Sequence, residues 1–195
     1  WVWGALCVVL LACAAVFLRF ERKPADAKRL ILIAALTALS VLGRILFAPI
    51  PSFKPVTAMV VITAMYFGSE AGFLTGALSA ILSNIWFGQG AWTPFQMFAW
   101  GFVGFLAGLL AAPLKKSRLL LAVYGVLSGV LYSFLMDIWT VLFIDGYFNF
   151  PRYLAAIVSA APVTATYAVS NVIFLLLLAP PIGRILTRIK TKYAL

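Results

Sequence analysis

The stretch RLILIAALTALSVLGRILFAPIP, residues 29–51, decides the fold. Between residues 30 and 47 its only charge is Arg44. A helix needs about 20 apolar residues to cross a bilayer, and about 17 suffice. Arg29 marks one end of this run, and Arg44 sits one turn inside the other.

Similar runs occur at residues 1–18, 56–67, 71–87, 95–112, 119–144 and 153–179. The run at 56–67 is short, with a re-entrant segment as the alternative to a span. The first begins Trp-Val-Trp without a charged leader, so it reads as a truncated span rather than a signal peptide. The expectation is an all-α membrane protein of seven helices. Residues 1–28 form an extra first helix and basic linker, residues 29–185 a six-helix core, and residues 186–195 a basic tail.

Composition agrees. Of 195 residues, 65% are hydrophobic and 10% charged, against about half and about a quarter in soluble domains. The net charge of +10 would suggest nucleic acid in a soluble protein. Here the basic residues fall between apolar runs, which reads as topology. Histidine is absent, and the two cysteines, Cys7 and Cys13, both lie in the first run. That leaves no disulfide framework, no zinc site and few of the usual catalytic parts.

If seven helices alternate, Arg19, Arg22, Lys23, Lys28 and Arg29 share a side with Lys115, Lys116 and Arg118. Arg184, Arg188, Lys190 and Lys192 fall there too. The other side receives Lys54, Arg152 and the inset Arg44. The positive-inside rule then puts the C-terminus in the cytoplasm and the N-terminus outside.

The outward connections become residues 48–55, 87–94 and 137–152, which hold most of the aromatic-polar mixture. FGQGAWTPFQM, residues 87–97, is richer than a plain tether requires. Asn84 lies within a span, where an amide costs energy unless it meets a partner or a wet cavity. Trp86 and Trp92 alone would form an interfacial belt. Gln89, Thr93 and Gln96 add donors and acceptors suited to a ligand with amides or ring nitrogens. Gly88 and Gly90 permit sharp turns or close approach, and Pro94 starts the next helix.

Asp137 is followed by apolar sequence to Ile144, so it lies below the outer interface, with Arg44 or Lys54 as candidate partners. It is either a ligand contact or half of a structural ion pair. Asp145, Tyr147 and Asn149 fit a binding loop or a solvated turn.

Small residues recur at Gly72, Gly76 and Ala80, at Gly101, Gly104 and Gly108, and at Gly125, Ser128 and Gly129. Close helix packing explains them.

The chain has five acidic residues. Glu21, Asp26 and Glu70 belong to the inner side, leaving only Asp137 and Asp145 elsewhere. Ion coupling within this chain is weakly supported, and there is no Walker A motif. Nor do scattered acids suit a divalent-metal enzyme such as a phosphatidyl transferase. A scaffold would not need the outer concentration of Trp, Gln and Asn. An outward binding bundle without an engine needs one from elsewhere.

In these respects the chain resembles the substrate-binding S components of energy-coupling factor (ECF) transporters. The resemblance covers roughly residues 28–185. It rests on LIAALTALSVLGRILFAPIP (residues 32–51), KPVTAMVVITAMYFGSEAGFLTGALSAILSN (residues 54–84) and FGQGAWTPFQM. It implies a six-helix bundle, here with one additional N-terminal helix. S components carry an Ala-x-x-x-Ala motif that docks on a transmembrane T component, and Ala34 and Ala38 match it. The implied partners are the T component and two ATPases, which use ATP while the S component binds vitamin outside and topples inward.

Within the family, the Gly-Arg-Ile-Leu-Phe-Ala-Pro-Ile-Pro and Gly-Gln-Gly-x-Trp-Thr-Pro stretches look most like cobalamin-type S components. Trp86, Trp92, Gln89, Gln96 and Lys54 would then face the corrin, its amide arms and its phosphate. Arg44, Asn84, Thr93, Asp137 and Tyr147 complete the expected substrate site. Riboflavin, queuosine precursors or another flat vitamin would suit the same residues. The absence of histidine argues against nickel or cobalt ions as cargo. No catalytic cofactor or metal is expected.

Overall fold

The computed structural model describes residues 1–22 and 27–193. Lys23 and Asp26, counted above in the inner linker, lie outside the described residues. Among those described there are eight helices and no strand. They are α1 (Val2–Glu21), α2 (Ala27–Leu46), α3 (Val56–Phe67), α4 (Ser69–Phe87), α5 (Thr93–Leu109), α6 (Ala111–Lys116), α7 (Arg118–Asp145) and α8 (Phe150–Tyr193). By length and composition α1, α2, α7 and α8 can cross a membrane. The chain is an all-α membrane protein.

The short run at residues 56–67 becomes the centre of the molecule. All of α3 except Tyr66 is buried, and it packs against α2, α4, α5 and α8. Twelve residues rise only about 18 Å, so α3 works as a core helix enclosed by longer neighbours. Gly68, with φ 92°, lies in the left-handed region where glycine carries no Cβ penalty. It lets α4 start one residue after α3 ends.

Helices α4 and α5 meet backbone to backbone. A Cβ on Gly72 would stand 2.7 Å from the Gly104 carbonyl oxygen. On Gly129 of α7 it would stand 2.8 Å from the Ala168 nitrogen of α8. The small-residue periodicities are therefore packing seams.

α1 lies outside this arrangement, buried through Leu6, Val9 and Cys13 against α4 and α5. Phe17 meets Phe73 edge-on at 6.2 Å, and Arg19 pairs with Glu70 at 2.9 Å.

α8 runs on past residue 179 through Pro180 and Pro181 to Tyr193. The basic segment expected as a tail is thus helical as far as described. Lys190 fastens it by donating to the Tyr66 carbonyl at 2.9 Å. The connection 110–117 also contains a short helix, α6.

Candidate functional site

Four helices bring polar side chains together at the end of the bundle that carries loops 47–55 and 88–92. Arg44, in the last turn of α2, points across to α4. Its Nη1 donates to Asn84 Oδ1 at 2.8 Å and also to Ser83 Oγ. Asn84 Nδ2 donates to Gln96 Oε1 at 2.8 Å and to Thr93 Oγ1 at 3.1 Å. Gln96 Nε2 then donates to the Tyr132 hydroxyl at 3.0 Å. A continuous chain of bonds links α2, α4, α5 and α7. Asn84, only 1% exposed, has both its amide hydrogens and its oxygen engaged, which removes the cost of burying it.

The 88–92 loop is tied to the same hub. The Thr93 hydroxyl donates to Gln89 Oε1 at 3.0 Å and accepts from the Gly90 amide at 3.3 Å. Gln89 Nε2 reaches back to the Ile81 carbonyl at 2.8 Å. Gly88 has φ 99°, and the Trp92 ring occupies the place of a Gly90 Cβ. Both glycines are required by the turn.

Beside this hub lies a small cleft of about 50 Å³. Arg44, Lys54, Gln96 and Asn171 supply its polar wall, and Trp100, Tyr132 and Tyr167 its aromatic one. Trp100 stacks on Tyr132 with centroids 5.1 Å apart and planes 16° from parallel. Tyr167 meets Tyr132 edge-on at 5.2 Å.

Phe87 sits where both cations reach it, 4.6 Å from the Arg44 guanidinium carbon and 5.5 Å from Lys54 Nζ. Such contacts favour the charged forms. Loop residue Lys54 nevertheless has its amine pushed below the ordinary lysine value, chiefly by burial and then by the nearby Arg44 charge. Its backbone is clamped to α8, with Lys54 N donating to Ser170 Oγ at 2.9 Å.

Of the residues expected from sequence, Arg44, Lys54, Asn84, Gln89, Thr93 and Gln96 form or adjoin this cluster. Trp92 packs on Gly90 at its rim. Trp86, 71% exposed, does not line the cleft, and neither does Tyr147, which lies exposed after α7.

Asp137 is buried in α7 without either expected partner. Arg44 is taken by Ser83 and Asn84, Lys54 Nζ by the Phe47 carbonyl at 3.4 Å, and Arg152 by Asp145 at 2.7 Å. Among the described residues Asp137 Oδ2 has no hydrogen-bond partner.

Trp100, Tyr132, Tyr167 and Asn171 were not anticipated. Two signals pointed to them: Trp100 lies one turn beyond Gln96 on the same face, and Asn171 is an amide within a span, as Asn84 is.

Ala34 and Ala38 lie on the exposed side of α2, away from its buried Ile33, Leu36, Thr37 and Ser40. Among the described residues nothing covers them.

The sequence model of the ECF-type riboflavin transporter S component matches residues 25–188. It supports the S-component resemblance and lends nothing to the cobalamin type. No curated protein and no solved structure matches the chain. With its helical core inside the matched segment, the chain belongs to the ECF-type riboflavin transporter S-component family, a family of transporter subunits.

Proposed function

We propose that this chain is the substrate-specificity subunit of an ECF importer, binding a flat heteroaromatic vitamin between loops 47–55 and 88–92. Riboflavin is the first candidate. The observation that carries this reading is the Arg44–Asn84–Gln96–Tyr132 chain opening on a cleft walled by Trp100, Tyr132 and Tyr167. Aromatic faces stack on a planar ring system, while the amides and the guanidinium meet its ring carbonyls and nitrogens.

Pockets for such ligands run to about 300–1,000 Å³, whereas the cleft holds about 50 Å³. Entry of the ligand therefore requires the cleft to widen, and in this reading Phe87, which lies against Arg44 and Lys54, moves aside with the 88–92 loop. Release inward and the energy for it come from a T component and two ATPases, with Ala34 and Ala38 on the docking face. The same reading puts the vitamin cleft outside the cell and the basic helix ends inside.

One observation favours cobalamin as a second substrate reading. Arg44 and Lys54 converge on Phe87 with no carboxylate among the residues lining the cleft, which suits a phosphodiester.

Thermal-shift measurement of the purified chain with riboflavin, cyanocobalamin and a queuosine precursor separates these. Ligand at about 100 times its Kd adds about 2.7 kcal/mol, or a rise of about 5 °C or more in Tm. Riboflavin should give that rise together with quenching of flavin fluorescence. A rise with cyanocobalamin alone selects the second reading, and no rise with any flat vitamin overturns the proposal.

A further inference from the structure

A second cavity, larger than the cleft, lies at the opposite, basic end of the molecule. It measures about 610 Å³ and plays no part in the vitamin cleft. Its floor is apolar, made by Met65 of α3, Leu114 of α6, Leu121 of α7 and Ala179 of α8. Its rim is cationic: Lys115, Lys116 and Arg118 come from the α6–α7 turn, and Arg184 and Arg188 from the last turns of α8. No acidic side chain lines it, and among the described residues none of these five cations forms an ion pair.

Local structure shapes the cavity wall. Pro180 and Pro181 lack the N–H groups that would bond the carbonyls one turn earlier, which weakens the helix there. Gly183 leaves room for the Tyr66 hydroxyl, which stands where its Cβ would be. Lys115 Nζ lies 4.5 Å over the Tyr66 ring. Partial burial and the charge of Lys190 push the Lys115 amine below its ordinary value. Cations crowded without counter-charge hold unmet attraction for an anion.

We propose that this cavity binds the phosphodiester headgroup of an anionic phospholipid from the adjacent leaflet. A cation rim above an apolar floor at the ends of membrane helices matches a phosphate joined to acyl chains, and basic pockets between helices at this level take such headgroups. A soluble phosphate would meet the same rim but make no use of Met65, Leu114 and Leu121. By the basic count the leaflet is the cytoplasmic one.

Native mass spectrometry of the full chain tests this, with dioleoylphosphatidylglycerol and dioleoylphosphatidylcholine added at equal ratios. Wild type should retain phosphatidylglycerol selectively, and excess glycerol 3-phosphate should not displace it. Each basic contact near a membrane surface is worth roughly fivefold in affinity, so Arg118→Gln with Arg184→Gln should lower retention by about twenty-five-fold. Lys116→Gln with Arg188→Gln supplies a second variant if the first does not fold. Arg22→Gln with Lys28→Gln removes as much charge from the same end outside the cavity, and should leave retention unchanged. Equal losses in all variants would reduce the effect to diffuse surface charge and overturn the site. Equal retention of phosphatidylcholine would overturn it too, and displacement by glycerol 3-phosphate would reassign the cavity to a soluble anion.

Discussion

Arg44 Nη1 stands 2.8 Å from Asn84 Oδ1, joining the end of α2 to the end of α4. Because guanidinium only donates, this contact fixes which way the Asn84 amide points. Its NH₂ must then face α5, where Thr93 and Gln96 accept from it at 3.1 and 2.8 Å. One orientation satisfies three helices at once.

Removing that hub should cost both stability and binding. Asn84→Ala leaves Arg44 and Gln96 short of partners in a buried place, a loss of about 1–3 kcal/mol. The expected result is a lower Tm in detergent together with weaker vitamin binding. A lowered Tm with unchanged Kd would make the network a helix clip rather than part of the site.

The aromatic residues divide by position. Trp100 is buried against Tyr132, whereas Trp86 stands 71% exposed. Trp100→Leu should weaken vitamin binding about fivefold, as loss of a stacked aromatic contact of about 1 kcal/mol implies. Trp86→Ala should leave Kd within twofold of wild type. The reverse order in titration calorimetry would move the ligand out of the cleft and onto the loop surface.

Hydropathy alone made the long helices legible, because spans 30–47, 119–144 and 153–179 are predominantly apolar runs that open directly after Arg29, Arg118 and Arg152. The amides were legible too: Asn84 and Gln96 are conspicuous in such surroundings. The aromatic wall was not. Trp100 had one cue, its place a turn beyond Gln96, but around Tyr132 and Tyr167 apolar residues occur on all faces of the helix, so periodicity does not tell a cleft-facing ring from a lipid-facing one. The helical continuation of α8 was missed for a different reason. Arg, Lys and Ile are adequate helix formers, and a charge-rich segment leaves the apolar run without leaving the helix.

The proposed orientation, with loops 47–55 and 88–92 outside, rests on the one-sided distribution of Arg and Lys. In a background with Cys7 and Cys13 replaced, Tyr147→Cys should react with an impermeant maleimide in intact cells and Lys116→Cys should not. Both positions are exposed. Gly90 is unsuitable for this purpose, since the Trp92 ring occupies its Cβ position. Labelling at residue 116 in intact cells would invert the orientation and place the vitamin cleft inside.

The transport partner should be read by α2. Ala34 and Ala38 are one turn apart and exposed, while Ile33, Leu36, Thr37 and Ser40 of the same helix are buried in the bundle. Small side chains on such a face allow another helix to approach closely. Replacing both with Leu adds bulk where lipid would accept it and a tight helix contact would not. The proposed vitamin cleft touches α2 through Arg44, ten residues and six residues along from these positions. That separation is about 9–15 Å by helix rise, so binding by the isolated chain should persist. Uptake into cells expressing the T component and ATPases should be lost, along with their co-purification. Normal uptake by the double variant would mean that this face meets only lipid, and the docking surface would have to be sought on another helix.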